Sequence, residues 1–364
     1  MPTRKGCLLL ALVLALGGGT ACDEQTQATP DSGPPAPLAM SELKLEENSS
    51  NTLSFWVSWK TNQPTTSSVE FGKGGVLTHR IRGSATAGLE HKVLVIGLHE
   101  LTAYGWRAIS DTGAGEQVLS ATRQYTTRAQ PAYIPYGKVT VHDPRRAWDG
   151  WTLMSVNACV RSGLIIQWDQ DFPPTAVMYD MEGRPVWYNA HGLGRIGDAR
   201  YYSDGKLLFS SMADVVEKKP AAVEVDLSGK VTWTGPTQPF LQVDKSYHHH
   251  FERLPGGTYL TATQKQIGKT LGDLVVELDT SHKVLWSWSS FDHLRPDITL
   301  DTSSYGVYAW THINALVMNS KEDWALLAAR NLSTIFKIRK STGKIIWALG
   351  KGRDFAADPE AEYP

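Results

Sequence analysis

Cysteine, an excess charge of either sign and long apolar runs are all scarce in this 364-residue chain, and each scarcity excludes something. The three cysteines are Cys7, Cys22 and Cys159. With the first two inside an N-terminal leader, Cys159 has no internal partner, so packing rather than a disulfide framework must hold the fold. Lysine and arginine together number 36 against 37 acidic residues. No basic surplus exists to neutralise phosphates, and nucleic acid is not expected as a partner. Past the leader, no segment is apolar for the roughly 20 residues that a membrane-spanning helix needs. There is no Cys pair and no His-x-x-x-His helix to bind zinc, so neither a metal nor a cofactor is expected.

At the N-terminus, Arg4 and Lys5 precede the apolar run Leu8 to Leu16, and small residues Gly17 to Ala21 lead to Cys22. That is the order of a secretory signal. Gly19-Thr20-Ala21-Cys22 resembles the bacterial lipobox, with Gly19 where leucine is usual. Residues 1–22 are therefore expected to be a lipoprotein signal peptide, with lipidation at Cys22. The plainer alternative is a cut near Ala21 that leaves Cys22 unmodified. Both imply export, to a membrane-anchored place in the cell envelope, periplasmic or on its outer face, with inner versus outer membrane and oligomeric state left open. Residues 23–40, rich in Gln, Thr, Pro, Ser and Gly, read as a disordered tether.

Residues 41–128 alternate apolar and polar side chains in short runs, such as Leu53 to Trp59 and His91 to Val95, which is the pattern of half-buried strands. Leu98, Thr102 and Tyr104 resemble the tyrosine corner of fibronectin type III sandwiches. The expectation is a small β-sandwich, either a packing spacer or a module that captures substrate or partner.

Residues 129–364 contain a repeat. Tyr179-Asp180-Met181-Glu182-Gly183-Arg184-Pro185-Val186-Trp187 recurs at Val225 to Trp233, at Leu278 to Trp286 and at Ile338 to Trp347. Each copy reads as strand, tight turn and strand ending in Trp. The closing tryptophans lie 46, 53 and 61 residues apart, the length of a four-stranded blade with growing insertions. The all-β expectation is thus a sandwich followed by a β-propeller. One Trp per blade in a fixed frame suits packing between blades, against the alternative of stacking on a quinone-type cofactor.

Three polar clusters interrupt the repeats: His248-His249-His250 with Leu254-Pro255-Gly256-Gly257, the Asp292-His293 pair, and Trp310-Thr311-His312-Ile313-Asn314 followed by Arg330-Asn331. In a propeller, residues at strand beginnings converge on the central channel. Histidine donors and a planar guanidinium gathered there suit a sulfate or phosphate oxygen, and histidine also works as nucleophile, acid or base near neutral pH. Ordinary packing or surface roles are expected for His142, His191 and His293. Three histidines in a row make a poor chelate, since neighbours on a strand point to opposite faces.

His312-Ile313-Asn314, Arg330-Asn331 and Trp347-Ala348-Leu349-Gly350, in that order and with the upstream histidines, resemble the bacterial arylsulfate sulfotransferases from about His142 to Gly350. The resemblance implies a six-bladed propeller that moves a sulfuryl group from a phenolic sulfate ester to a phenol without 3′-phosphoadenylyl sulfate, through a sulfohistidine, by a ping-pong mechanism. It implies catalytic roles for His312, Arg330 and His249 or His250, substrate contacts for Asn314 and Asn331, and a small aryl sulfate donor and phenol acceptor as partners. This chain has His250 where the family tends to carry an acidic residue. The family's nucleophilic histidine lies beyond the Trp-x-Leu-Gly motif, and no histidine follows that motif before Pro364, so a C-terminally truncated chain is expected. The alternative is a non-catalytic envelope propeller that binds sulfated or phenolic ligands or a protein.

Overall fold

The computed structural model describes residues 36–157, 159–162, 165–168, 173–190, 196–211, 220–237, 247–295, 303–304 and 307–350. The expected leader with Cys22, residues 23–35 of the tether, His191 and the tail after Gly350 lie outside the described residues, and the tether's last residue, Met40, opens a strand. The architecture of the described residues is all-β, with one short helix. No helix among the described residues is long and apolar enough to cross a membrane.

The first sheet comprises β1 (Met40–Glu47), β2 (Phe55–Lys73), β3 (His79–Arg82), β4 (Gly88–Val95), β5 (Ala103–Asp111), β6 (Gln117–Leu119) and β7 (Arg123–Thr126). The first half of β2 pairs with β1 and β4, and its second half with β3 and β5. Register breaks between Lys60 and Thr65, around Pro64, whose missing N–H cannot serve a ladder. Folding β2 this way brings Phe55, Val57, Trp59, Val69, Phe71, Val93, Val95 and Trp106 into one core. The Tyr104 hydroxyl accepts the backbone N–H of His99 at 2.9 Å.

Next come β8 (Thr152–Val156), the hairpin of β9 (Cys159–Ser162) and β10 (Ile165–Trp168), then β11 (Thr175–Tyr179) and β12 (Pro185–Ala190), with β12-β11-β8 forming a three-stranded sheet. Four strands follow in simple order: β13 (Ile196–Tyr201), β14 (Lys206–Ser211), β15 (Ala222–Asp226) and β16 (Val231–Thr234). The next sheet is β17 (Tyr247–Arg253), β18 (Tyr259–Ile267), β19 (Thr270–Leu278) and β20 (Val284–Ser289). Helix α1 (Ser290–His293) and the strands β21 (Ser303–Ser304) and β22 (Val307–Ala309) extend it, β22 running parallel to β19. This insertion accounts for the longest Trp spacing. The last sheet is β23 (Ile313–Asn319), β24 (Trp324–Ala329), β25 (Thr334–Arg339) and β26 (Ile345–Gly350).

All four repeat copies fold as hairpins, β11 with β12, β15 with β16, β19 with β20 and β25 with β26, and all break register just before the turn. The turn aspartate is the reason for the motif. Oδ1 of Asp180 accepts the N–H groups of Glu182 and Arg184, and Asp226 and Asp279 do the same in their own turns. The fourth copy has Arg339 instead, and Asp323 from the β23–β24 turn accepts the N–H of Ser341 at 2.7 Å.

The closing tryptophans join neighbours as well as filling space. Trp187 Nε1 donates to Leu227 O, Trp233 to Thr280 O and Trp286 to Lys340 O, at 2.8, 3.0 and 2.8 Å, each reaching the turn of the following copy. Apolar cores between successive sheets complete the packing, for example Trp187, Leu207, Phe209 and Val225, or Trp288, Ile313, Leu327 and Phe336. The first strands of the sheets neighbour one another, β13 beside β17 and β17 beside β23, so their beginnings converge.

The β1–β7 sheet is built into this stack. Leu53 is fully buried with Ile134, Val177, Tyr179 and Tyr188. Asn51 Nδ2 donates to Tyr188 O at 3.1 Å, the Tyr188 hydroxyl accepts the N–H of Thr52 at 3.0 Å, and Asn48 Nδ2 donates to Ser228 O at 3.0 Å.

Candidate functional site

The site lies where β17 and β23 begin. Between Tyr247 and Phe251 the strand takes four steps while β18 takes two, from Thr263 to Thr261. This bulge throws the neighbouring histidines in different directions. His249 sits at φ 62°, a left-handed conformation that costs a residue with a Cβ on the order of 1–3 kcal/mol. Hydroxyls flank the bulge and hold it: Ser210 Oγ donates to His249 O at 3.2 Å and Thr261 Oγ1 to His250 O at 2.8 Å.

His312, just before β23, is also left-handed, at φ 52°. Its carbonyl accepts the N–H of Arg330 at 3.1 Å, and Thr311 O accepts that of Asn331 at 3.2 Å. The carboxylate of Asp273 on β19 takes the Thr311 hydroxyl and, at 2.9 Å, the N–H of Ile313. Two strained backbones thus aim two half-buried imidazoles at each other. His249 Nε2 and His312 Nε2 are 3.0 Å apart, with ring centroids 5.0 Å apart. At that separation one nitrogen carries the proton and the other offers its lone pair, so the pair holds an acid and a base side by side.

His250 is placed differently. Its Nδ1 lies 3.2 Å from Arg200 Nη2, which can only donate, and its Nε2 lies 3.2 Å from Glu252 Oε2, which accepts. Those partners set the neutral tautomer with hydrogen on Nε2 and occupy both nitrogens of a side chain only 4 % exposed. Arg200 in turn donates through Nε to Asp198 at 2.8 Å. Burial opposes the charge on Glu252, yet the His250 bond and the Arg200 charge hold its pKa below the usual carboxylate range. Of the two upstream histidines left open by the sequence, His249 faces His312.

Arg330 occupies the β24–β25 turn at the same end of the sheet; its side chain is exposed and has no ion-pair partner among the described residues. Asn314 is exposed one residue into β23. Asn331 does structural work: its Nδ2 donates to Ala309 O. His293 lies flat on Trp288, with centroids 5.1 Å apart, and His142 is exposed.

Sequence reasoning passed over Asp273, Ser210, Thr261 and Arg200. One signal was available: Asp273 is a carboxylate set among the apolar residues of Leu271 to Val276, and a buried charge implies a partner. A cavity of about 780 Å³ lies elsewhere, between the β3–β4 face and the turns at Asp204 and Asp226, and no residue of the histidine cluster lines it.

Among solved structures, the chain is similar to Hsv2p of Kluyveromyces lactis at 7% identity, covering 86% of this chain and 84% of that one with a TM-score of 0.25. Hsv2 of Kluyvelomyces marxianus gives 7% identity, 86% and 82% coverage and 0.27. The uncharacterized protein lmo2446 from Listeria monocytogenes EGD-e gives 10% identity, covers 66% of this chain and has a TM-score of 0.18; the chain spans only 18% of that protein's length. No curated protein matches the chain. The arylsulfotransferase (ASST) family model matches residues 145–363, more than half of the sequence and the whole of the histidine site, and the chain belongs to that family.

Proposed function

We propose that this protein is an exported arylsulfate sulfotransferase that passes a sulfuryl group from a phenolic sulfate ester to a phenol without a nucleotide donor, by a ping-pong mechanism through a histidine. The observation that carries the reading is the contact of His249 Nε2 with His312 Nε2, one proton donor and one lone pair at 3.0 Å, beside the exposed Arg330. In the first half-reaction an imidazole nitrogen bonds to sulfur, the sulfur–oxygen ester bond breaks, and the phenoxide oxygen takes a proton from an N–H of the pair. In the second, the lone pair accepts the proton of the incoming phenol, whose oxygen bonds to sulfur as the nitrogen leaves. Arg330 suits the negative charge that spreads over the sulfuryl oxygens during transfer. Asn314, exposed beside His312, contacts the substrate in this reading.

Export through the leader, with lipid attached at Cys22, suits this chemistry. A donor that carries its own activated sulfate ester needs no nucleotide pool, which the envelope lacks. Expression with a radiolabelled or clickable palmitate checks the anchor: label on the wild type and none on Cys22→Ser is the expected result.

The activity is tested with the purified protein, 4-nitrophenyl sulfate and a phenol acceptor. Nitrophenolate release that depends on the acceptor is expected from the wild type and not from His312→Ala. Equal release from both proteins, or none from either, sinks the proposal.

A further inference from the structure

We infer that Asp273 is a positioning residue for the transfer site, holding the Thr311 hydroxyl and the Ile313 N–H on either side of His312 so that its imidazole meets His249. The inference rests on the assignment of His312 to sulfuryl transfer.

Asp273 lies in the middle of β19, is fully buried, and belongs to the sheet before the one that carries His312. Its Oδ2 accepts from two donors that bracket His312 in sequence, the Thr311 hydroxyl and the Ile313 N–H. Thr311 is itself buried. The Asp273 backbone is tied down as well, its N–H donating to Ser290 Oγ at 3.0 Å. Just ahead of His312, Trp310 N donates to Leu271 O at 2.8 Å, so the segment is laced to β19 at Leu271 and again at Asp273.

A residue at φ 52° relaxes unless its surroundings over-determine it. The carbonyl side of this loop is held by the β24–β25 turn, through Arg330 N and Asn331 N, and its donor side is held by Asp273. Without the carboxylate, the Ile313 N–H and the Thr311 hydroxyl, both at buried positions, lose their acceptor. The loop then has reason to leave the left-handed conformation. An imidazole Nε2 lies several bonds from the backbone, so a modest change of φ at residue 312 moves it out of the 3.0 Å contact. In this proposal the carboxylate acts through the placement of His312.

The test uses the full chain carrying ¹⁵N-histidine, with Thr311→Val, Thr311→Ser and Asp273→Asn. Long-range ¹H–¹⁵N spectra report the tautomers and pairing of the imidazoles, thermal melts report folding, and nitrophenyl sulfate kinetics report transfer. In Thr311→Val and Asp273→Asn the signals of His312 and His249 should move to unpaired positions while His250 stays in place. The value of kcat should fall by on the order of 10- to 100-fold with KM little changed. Thr311→Ser, which keeps the hydroxyl, should restore both. Unmoved His312 and His249 signals in a folded Thr311→Val protein overturn the inference, as does a loss of kcat that Thr311→Ser shares. Wild-type protein without turnover would instead remove the sulfotransferase reading, and the imidazole spectra would still decide whether Asp273 holds His312.

Discussion

Two polar junctions hold this molecule together, and they are built on opposite principles. Where the β1–β7 sheet meets the first two propeller sheets, donors and acceptors are paired on ordinary backbone: Asn51 and Thr52 with Tyr188, Asn48 with Ser228, and His99 Nε2 with Asp180 Oδ2 at 2.8 Å. Where β17 and β23 begin, a bulge and left-handed residues at 249 and 312 bring two basic side chains face to face. The first junction gains stability from every contact. The second carries backbone strain at both histidines that it joins.

Substitutions at the two junctions should therefore part company. His312→Ala is expected to lower turnover of an aryl sulfate about 10³-fold, on the order of 4 kcal/mol, and to leave the melting temperature close to wild type. A melting temperature that collapses along with activity would erase the contrast. Arg330→Ala should remove about 3 kcal/mol of transition-state stabilisation, read from kcat/KM, again without a stability change because the side chain is exposed. Leu53→Ala should do the reverse, costing about 2–3 kcal/mol in urea unfolding by emptying a fully buried position, with kcat intact in the fraction that remains folded.

Acid provides a graded test of the first junction. Burial lowers the pKa of His99 from 6.5, only partly offset by its bond to Asp180. As pH falls through the unfolded value the unfolded chain takes the proton first, so stability declines from there until folded His99 also protonates. For Asp180, burial works against the charge, but the bonds from His99 and Arg184 hold its pKa at about 2. Its contribution is present above the unfolded value of 3.8 and is lost as pH drops towards 2. The Asp180 step is on the order of 1 kcal/mol after solvent screening. His99→Gln should flatten the first decline, leaving the part that belongs to His91, whose pKa burial also lowers. The smallest expected effect has the opposite sign. His312→Gly relieves the strain at φ 52° and should raise stability by up to about 1 kcal/mol while ending turnover.

The repeat was legible because its parts act locally. Asp180, Asp226 and Asp279 each close their own turn, so strand, turn and strand are written within a few residues. The fourth copy shows where such reading stops: Arg339 breaks the motif, and the missing acceptor comes from Asp323, 18 residues away in sequence. The tryptophans were legible as packing residues, whereas their N–H bonds to the next turn were not, since the acceptor lies 40 to 54 residues on. At the site, the residue types came from the sequence and the choice among them did not. His249 and His250 are equivalent in a regular strand apart from their face, and the bulge that separates their roles depends on hydroxyls from Ser210 and Thr261.

By itself the sequence determined the all-β class, the hairpin repeat and the family, because alternation, turn chemistry and motif order act over short stretches of chain. The tertiary structure alone decided that His249 meets His312 across 63 residues, that His250 is held by Arg200 and Glu252, and that Asp273 lies beneath the loop. Those contacts run between sheets. Nothing in a local pattern encodes which strand beginnings converge, whereas packing successive sheets face to face brings them to one small volume.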